Sequence, residues 1–273
     1  MSHQRPDIDE AVVSIIIPTY NRKESLLRAL YSIEQQTYPI ARFEVIVVDD
    51  GGSDASGEMA PGHFPFCVTV LRQEKAGATV ARNNGARLSR ADILVFVDDD
   101  MTLAADSVAA LVACIQRTRK TVVLGRLRVP AELSASSTLA RMESERERSE
   151  PGDVEVPCVE CKTGFLAIRR EEFLQLGMFE DPTGGWPNWD DVDFGYRAYQ
   201  QGYRFIECSH AVAEHWDYAL TDLRSACLRW QRAGRSAARL VERHPGIVSM
   251  LPMLRDKSRI VWRRDPLRLV LRK

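Results

Sequence analysis

The sequence predicts an α/β protein with a mostly parallel central sheet. Short apolar, β-branched runs alternate with amphipathic helical patterns through the first 100 residues. Each run ends in polar, Gly- or Asp-rich sequence, so the carboxyl ends of several strands share one chemistry at one sheet edge. At 273 residues the chain can bury a substantial core, and 45% hydrophobic with 27% charged residues is ordinary globular composition.

The elements follow in order. Residues 12–17 form the first β-branched run, ended by Pro18. Asn21 precedes a helical pattern with Leu26, Leu27, Leu30 and Ile33 on one side, and Asn21 with Glu24 has capping-box spacing. Residues 44–48 form a strand running into Asp49-Asp50-Gly51-Gly52, and residues 67–71 a third. A helix is predicted over 79–88 and a fourth strand over 93–97. Strands separated by helices imply parallel pairing through right-handed crossovers.

The second half is less regular. It predicts a helix over 103–118, a strand over 122–129, and a solvated mixed-charge stretch around Glu143 to Arg148. A strand over 163–168 is opened by Gly164, and residues 181–188 form a Gly- and Pro-rich loop. Helices follow over 190–201, stopped by Gly202, and over 220–243, closed by His244-Pro245-Gly246.

The most informative junction is Asp98-Asp99-Asp100, directly after the apolar strand. Three carboxylates cannot follow that strand into the core, because burying unpaired charge is very costly. At a strand's carboxyl end they repel one another unless a cation neutralises them. Mg²⁺ or Mn²⁺ suits such hard oxygen ligands and can bridge a diphosphate. A solvated acidic loop or a helix N-terminal cap is the competing reading of these three residues alone.

The polar N-terminus has no apolar signal region, and no stretch approaches the roughly 20 apolar residues of a membrane span. With six cysteines, this leads us to expect a cytoplasmic protein with reduced thiols. Cys158 and Cys161 lack a second pair for zinc and read as buried structural thiols. The net charge of −1 hides an asymmetry: residues 224–273 carry 14 Lys and Arg against 3 Asp and Glu. The pattern argues against a nucleic-acid partner. It allows two readings of the tail, an anionic membrane surface or acceptor, or a solvated helix with Arg stems on apolar neighbours.

Five stretches in order resemble the inverting glycosyltransferases of family 2, with the GT-A fold. They are residues 13–21 (VSIIIPTYN), 47–51 (VVDDG), 81–85 (ARNNG), the Asp98–Asp100 cluster, and 190–194 (DDVDF). The resemblance covers about residues 12–216. It implies a Rossmann-like nucleotide-binding half fused to a smaller acceptor-binding half. The expected division is a catalytic domain over 1–220, split into 12–100 and 101–220, and a basic helical extension over 221–273.

By the same resemblance, Pro18, Thr19 and Tyr20 meet the nucleotide, and Asp50 meets its base, typically uracil. Arg82 approaches the diphosphate, a task that suits a guanidinium. Asp98 and Asp100, or Asp99 and Asp100, hold Mn²⁺ or Mg²⁺, with Asp100 common to both registers. His215 stands where relatives carry a metal- or diphosphate-contacting histidine. Asp190 and Asp191 match a Glu-Asp motif whose second acid, Asp191, is the general base. Acids at a helix N-terminus are the plainer reading of that pair, and the two are compatible. Gly164, Trp186 and Trp189 fall on the acceptor side, where Trp189 is equally a core residue.

The implied reaction moves one sugar from a nucleotide-diphosphate sugar to a carbohydrate, lipid-linked or other hydroxyl acceptor, as in cell-envelope or glycoconjugate synthesis. Ala226 replaces the Gln of the Gln-x-x-Arg-Trp pattern of processive members, although Arg229-Trp230 is present, so single-sugar transfer is expected. A nucleotidyltransferase would carry a Gly-rich phosphate loop where Pro18-Thr19-Tyr20-Asn21 stands. A non-catalytic nucleotide-sugar-binding protein would have lost Asp100 or Asp191, and both are present.

Overall fold

The computed structural model describes residues 12–56, 62–144, 151–182 and 189–251. The mixed-charge residues 145–148, the loop 183–188 with Trp186, and the tail beyond 251 lie outside the described residues.

Among the described residues, nine strands form one sheet. They are β1 Val13–Thr19, β2 Phe43–Asp49, β3 Cys67–Arg72, β4 Ile93–Val97, β5 Met101–Leu103, β6 Thr121–Arg128, β7 Val154–Glu155, β8 Phe165–Arg169 and β9 Arg204–His215. Their order is β3-β2-β1-β4-β8-β6-β9-β5, with β7 paired to β9. Strands β1 to β4 pair in parallel, as the alternating pattern predicts. β8 enters antiparallel between β4 and β6, and β6 runs parallel with β9. β5 and β7 are antiparallel to β9, so six strands point one way and three the other.

Helices cover both faces. α1 Lys23–Glu34 and α3 Ser107–Arg117 lie on one; α2 Ala78–Leu88, α6 Arg170–Gln175, α7 Asp190–Gln200 and α8 Leu223–Arg243 lie on the other. Short α4 Ala131–Ser136 and α5 Thr138–Ser144 form a small satellite core around Leu133, Ala140 and Leu220. Burial on both faces explains the unbroken apolar strands. Along β1, Val13, Ile15 and Ile17 pack toward α1, while Ile16 joins Phe96 and Phe173 on the opposite side. The polar exceptions are satisfied. Ser14 Oγ donates to Glu44 Oε1 at 2.5 Å, which leaves Ser89 Oγ, 2.6 Å away, to donate to Ser14.

The structure corrects some boundaries. The expected capping box does not form: Asn21 has φ 51° and its Oδ1 accepts from Ser53 N at 2.6 Å. Asp54 Oδ2 instead accepts from Lys23 N at 2.8 Å, so a residue 31 positions away does the capping. The helix expected over 103–118 starts later, because residues 101–103 are drawn into the sheet as β5. β9, twelve residues long, has no counterpart in the sequence reading, since its burial lacks a clean alternation.

α8 belongs to the body at this end of the chain. Ala226, Ala237 and Leu240 are buried, and Trp189 Nε1 donates to Ala233 O at 2.8 Å. Fully buried Asp193 on α7 accepts from Arg197 Nε at 2.8 Å and lies 2.8 Å from His244 Nε2 and 3.3 Å from Arg243 Nε. No helix among the described residues is long and apolar enough to cross a membrane.

Candidate active site

The site forms where β1, β2 and β4 end. Thr19 O accepts from Asp50 N at 2.9 Å, and Thr19 Oγ1 donates to Asp99 Oδ2 at 2.8 Å, so the three ends are tied together. Pro18, Thr19, Tyr20, Asp50, Arg82 and the three aspartates line one cavity of about 270 Å³. Asp50 is buried and accepts from Gln73 Nε2, Ala76 N and Gly77 N at 2.7–2.8 Å. It therefore shapes the loop before α2, and of about four lone-pair positions one remains open. Asp49 accepts from Gly52 N at 2.8 Å, and a Cβ on Gly52 would stand 2.8 Å from that same oxygen, which accounts for the second glycine. The exposed ring of Tyr20 carries Lys75 Nζ at 3.8 Å from its centroid.

Arg82 is placed by close packing of α2 on the sheet. A Cβ on Gly85 would meet Ile16 Cγ2 at 2.5 Å, so only glycine lets the helix lie this near β1. The buried guanidinium donates from Nη2 to Asp98, sets Nη1 3.5 Å from Asp190 Oδ2, and keeps a buried, unpartnered Nε. Thr79 Oγ1 also donates to Asp190 at 2.9 Å, so α2 grips the first turn of α7 twice. Asn83 bonds both backbone groups of Phe179, at 2.8 and 3.1 Å, which fixes the chain leading toward α7.

The three aspartates divide. Asp98 is held by Arg82, and its backbone N donates to Gly164 O at 2.9 Å. Gly164 is required here because a Cβ would stand 2.7 Å from Asp98 Oδ2; its close neighbour is this carboxylate. Asp99 is buried against Thr19 and Arg22, and burial pushes it up to about 6 despite both partners. Asp100 Oδ2 accepts from Arg22 Nη1 at 2.9 Å, whereas its Oδ1 is buried without a partner. His215 Nε2 lies 3.6 Å from that orphan oxygen, too far for a hydrogen bond. The ladder explains this neighbour: Met101 pairs with His215, and Trp216 N donates to Asp100 O at 2.9 Å. Burial pushes Asp100 up, but His215 and Arg22 outweigh it and hold the carboxyl below its ordinary range.

These residues fit a divalent cation in part. Asp100 Oδ1 and His215 Nε2 face each other across a gap that an ion could close. Asp98 is instead committed to Arg82, and among the described residues no group of three such ligands is preassembled. Remaining ligands would have to come from oxygens of a bound molecule.

Asp191 lies at the N-terminus of α7, with Val192 N donating to its Oδ1 at 2.7 Å. Burial, reinforced by the Asp190 charge, pushes its carboxyl up to about 7. Asp190 is the anchoring partner of this pair. Trp189 occupies a left-handed turn at φ 83°, packs against the core and bonds α8, the structural member of its two readings. Cys158 and Cys161 are buried free thiols, as expected; a Cβ on Gly195 would meet Cys158 O at 2.3 Å, so their turn packs tightly on α7.

Sequence reasoning missed Arg22 and the group around Asp217. Asp217 Oδ2 accepts from Arg229 Nη1 at 2.6 Å, and both line a second cavity of about 800 Å³ with Arg22, Asp100, His215 and Trp216. The Arg229-Trp230 pair was its one visible signal.

A sheet covered on both faces, with acids, an arginine and a histidine gathered at its carboxyl edge, defines an open α/β protein of the kind that binds its ligands outside the strand ends. The family model for glycosyl transferase family 2 matches residues 14–176, and the chain belongs to that family. It is 38% identical over 115 residues to an uncharacterized glycosyltransferase, YfnE, of Bacillus subtilis, covering 41% of this chain and 29% of that protein. It is 26% identical over 284 residues to validoxylamine A glucosyltransferase of Streptomyces hygroscopicus subsp. jinggangensis, covering 89% and 63%. The chain thus spans less than two thirds of the length of these relatives. Among solved structures, S. aureus TarS gives a TM-score of 0.60 at 17% identity over 92% of this chain and 46% of that one. GalNAc-T7, solved with UDP, GalNAc and Mn²⁺, gives 0.59 at 19% over 75% and 43%. These likenesses show the fold, which is GT-A.

Proposed function

We propose that the protein transfers a single sugar from a nucleotide-diphosphate sugar, with UDP-sugars favoured, to an acceptor hydroxyl with inversion, assisted by Mn²⁺ or Mg²⁺. The observation that carries this reading is the convergence, at one sheet edge, of three chemically distinct groups. Arg82 with Asp98 and Asp190 forms one, Asp100 with His215 the second, and Asp191 the third.

The nucleotide lies against Pro18, Thr19 and Tyr20, and Asp50 has a lone pair left for a base N–H. Arg82 brings positive charge toward the diphosphate that leaves, and its unpartnered Nε is a spare donor. When bound, the cation would neutralise charge on that leaving group, with Asp100 and His215 as its protein ligands. Asp191 takes the proton from the acceptor hydroxyl as that oxygen attacks the anomeric carbon from the opposite face. A carboxyl with a pKa near 7 suits this task, because about half of it is ionised at neutral pH and the ionised form is basic enough to accept the proton. Gly164 and Trp186 belong to the acceptor side in this reading; Trp189 supports α7 from behind.

Asp191→Asn should lower turnover of donor and acceptor roughly 10²–10⁴-fold while donor binding stays within about twofold. Unchanged turnover would remove Asp191 as the base. Mn²⁺-dependent donor hydrolysis without acceptor provides the first assay.

The outer surface of α8 supports a second part of the proposal, attachment to an anionic membrane where a lipid-linked acceptor would lie. Leu223 is 62% exposed, Trp230 54% and Leu228 43%, interleaved with exposed Arg224, Arg232 and Arg235. Trp and Leu at an interface with arginines beside them match a surface-lying helix. The full chain should sediment with anionic vesicles and not with neutral ones, and Trp230→Glu with Leu223→Glu should reduce binding at least fivefold. Equal binding to both vesicle types would remove this part of the reading.

A further inference from the structure

One nitrogen of Arg22 stands between two acids. Nη1 is 3.1 Å from Asp99 Oδ1 and 2.9 Å from Asp100 Oδ2. Both carboxylates are largely buried, but the Arg22 side chain is 55% exposed, so packing does not lock it there. Its backbone is fixed: Asn21 holds the positive-φ turn before it, and Arg22 O accepts from Leu26 N at 2.9 Å. The guanidinium thus reaches back over the acids from a rigid base. It also lines both cavities, the smaller one at the strand ends and the larger one beside His215.

A cation held by Asp100 and His215 would come to lie close to this guanidinium, because Arg22 and His215 approach the two oxygens of one carboxylate. Two positive centres so close repel strongly in a partly buried site. We propose that Arg22 is a displaceable internal counter-cation. It neutralises Asp99 and Asp100 when no metal is bound, and an incoming divalent ion turns it away from Asp100 toward the phosphates of the donor. This inference rests on the metal-assisted reading above. It makes metal and nucleotide binding mutually reinforcing: metal alone must break the Arg22 pair, whereas metal with a diphosphate gives the released guanidinium a new anionic partner.

The test is Mn²⁺ binding to the full chain, followed by electron paramagnetic resonance of the free ion, with and without UDP. Wild type should bind Mn²⁺ weakly alone and at least tenfold more tightly with UDP. Arg22→Gln should bind Mn²⁺ alone at least tenfold more tightly than wild type and lose most of the gain from UDP. Arg22→Lys, which keeps the charge, should stay near wild type. Asp100→Asn should lose Mn²⁺ binding with or without UDP. If Arg22→Gln binds the ion no better than wild type while Asp100→Asn loses it, the counter-cation role is overturned and the metal reading stands. If Asp100→Asn binds Mn²⁺ as wild type does, the metal reading fails and takes this inference with it.

Discussion

In the proposed reaction one carboxyl, that of Asp191, takes the proton. Its pKa is raised to about 7 by burial and by Asp190, and a general base works only when ionised. Turnover at saturating substrate should therefore rise with pH through about 7 and level off above it, as a pH–rate profile would show. Stability should move the other way. A carboxyl whose folded-state pKa lies above its unfolded value stabilises most when protonated, and that contribution is lost as pH rises through about 7. Asp191→Asn mimics the protonated form. It should melt above wild type at pH 8, with the gap closing as pH falls toward 4. At this scale the sequence was legible in the placing of Asp100 after a strand, Asp191 at a helix start and Arg82 within a helix, since each sits in a short motif. It was not legible for Arg22, whose partners lie 77 and 78 positions away. Nor did spacing reveal that Asp98 answers to Arg82, since a rotamer chosen by packing decides which acid faces which cation.

Between elements, the crossing of β6 and β8 is the tightest joint. A Cβ on Gly125 would stand 2.0 Å from Phe165 Cδ1, and Phe165 is buried beside Gly164 and the Asp98 turn. Gly125→Ala should cost about 1–3 kcal/mol by urea unfolding, because the added methyl overpacks against the Phe165 ring. Gly234→Ala provides the contrast. Nothing lies within 4 Å of its built Cβ on exposed α8, so it should stabilise by about 0.5–1 kcal/mol. Strands β1, β2 and β4 were legible because each is buried on both faces, and the N-terminal helices because each is buried along one stripe, which periodicity records. β5 and β9 were not. β5 has three residues, and β9 exposes and buries its residues irregularly around a bulge opposite Gly125 and Arg126. Long-range pairing made these strands, and no local pattern specifies it.

For the molecule as a whole, the charge split of the sequence acquires a place. Asp50, Asp98, Asp99 and Asp100 gather at one sheet edge, and the arginines of α8 divide between ion pairs with the body and open surface. Arg243 serves buried Asp193, Arg229 serves Asp217, and Arg224, Arg232 and Arg235 face outward. A ligand that spans the gathered strand ends should stabilise the entire fold by mass action. UDP with Mn²⁺ at 100 times its dissociation constant should add about 2.7 kcal/mol, a rise of roughly 5 °C in melting temperature for a chain of this size. Other nucleoside diphosphates in the same panel would rank the base preference, and no shift with any of them would count against a nucleotide donor.

The placement of β8 also bears on how the protein is made. Strands β1 to β4 can assemble once residue 97 has left the ribosome, since all their pairings with one another lie within the first 97 residues. The free side of β4 then remains an open edge until residues 165–169 arrive to cover it. An unpaired apolar strand edge invites association with other chains. Asp98, Asp99 and Asp100, set at the end of that very strand and paired with Arg82 and Arg22, put a charged cluster beside the exposed edge throughout the wait. Charge at that point would help keep half-made chains apart, and the arrival of β9 adds His215 to the side of Asp100 that Arg22 leaves open.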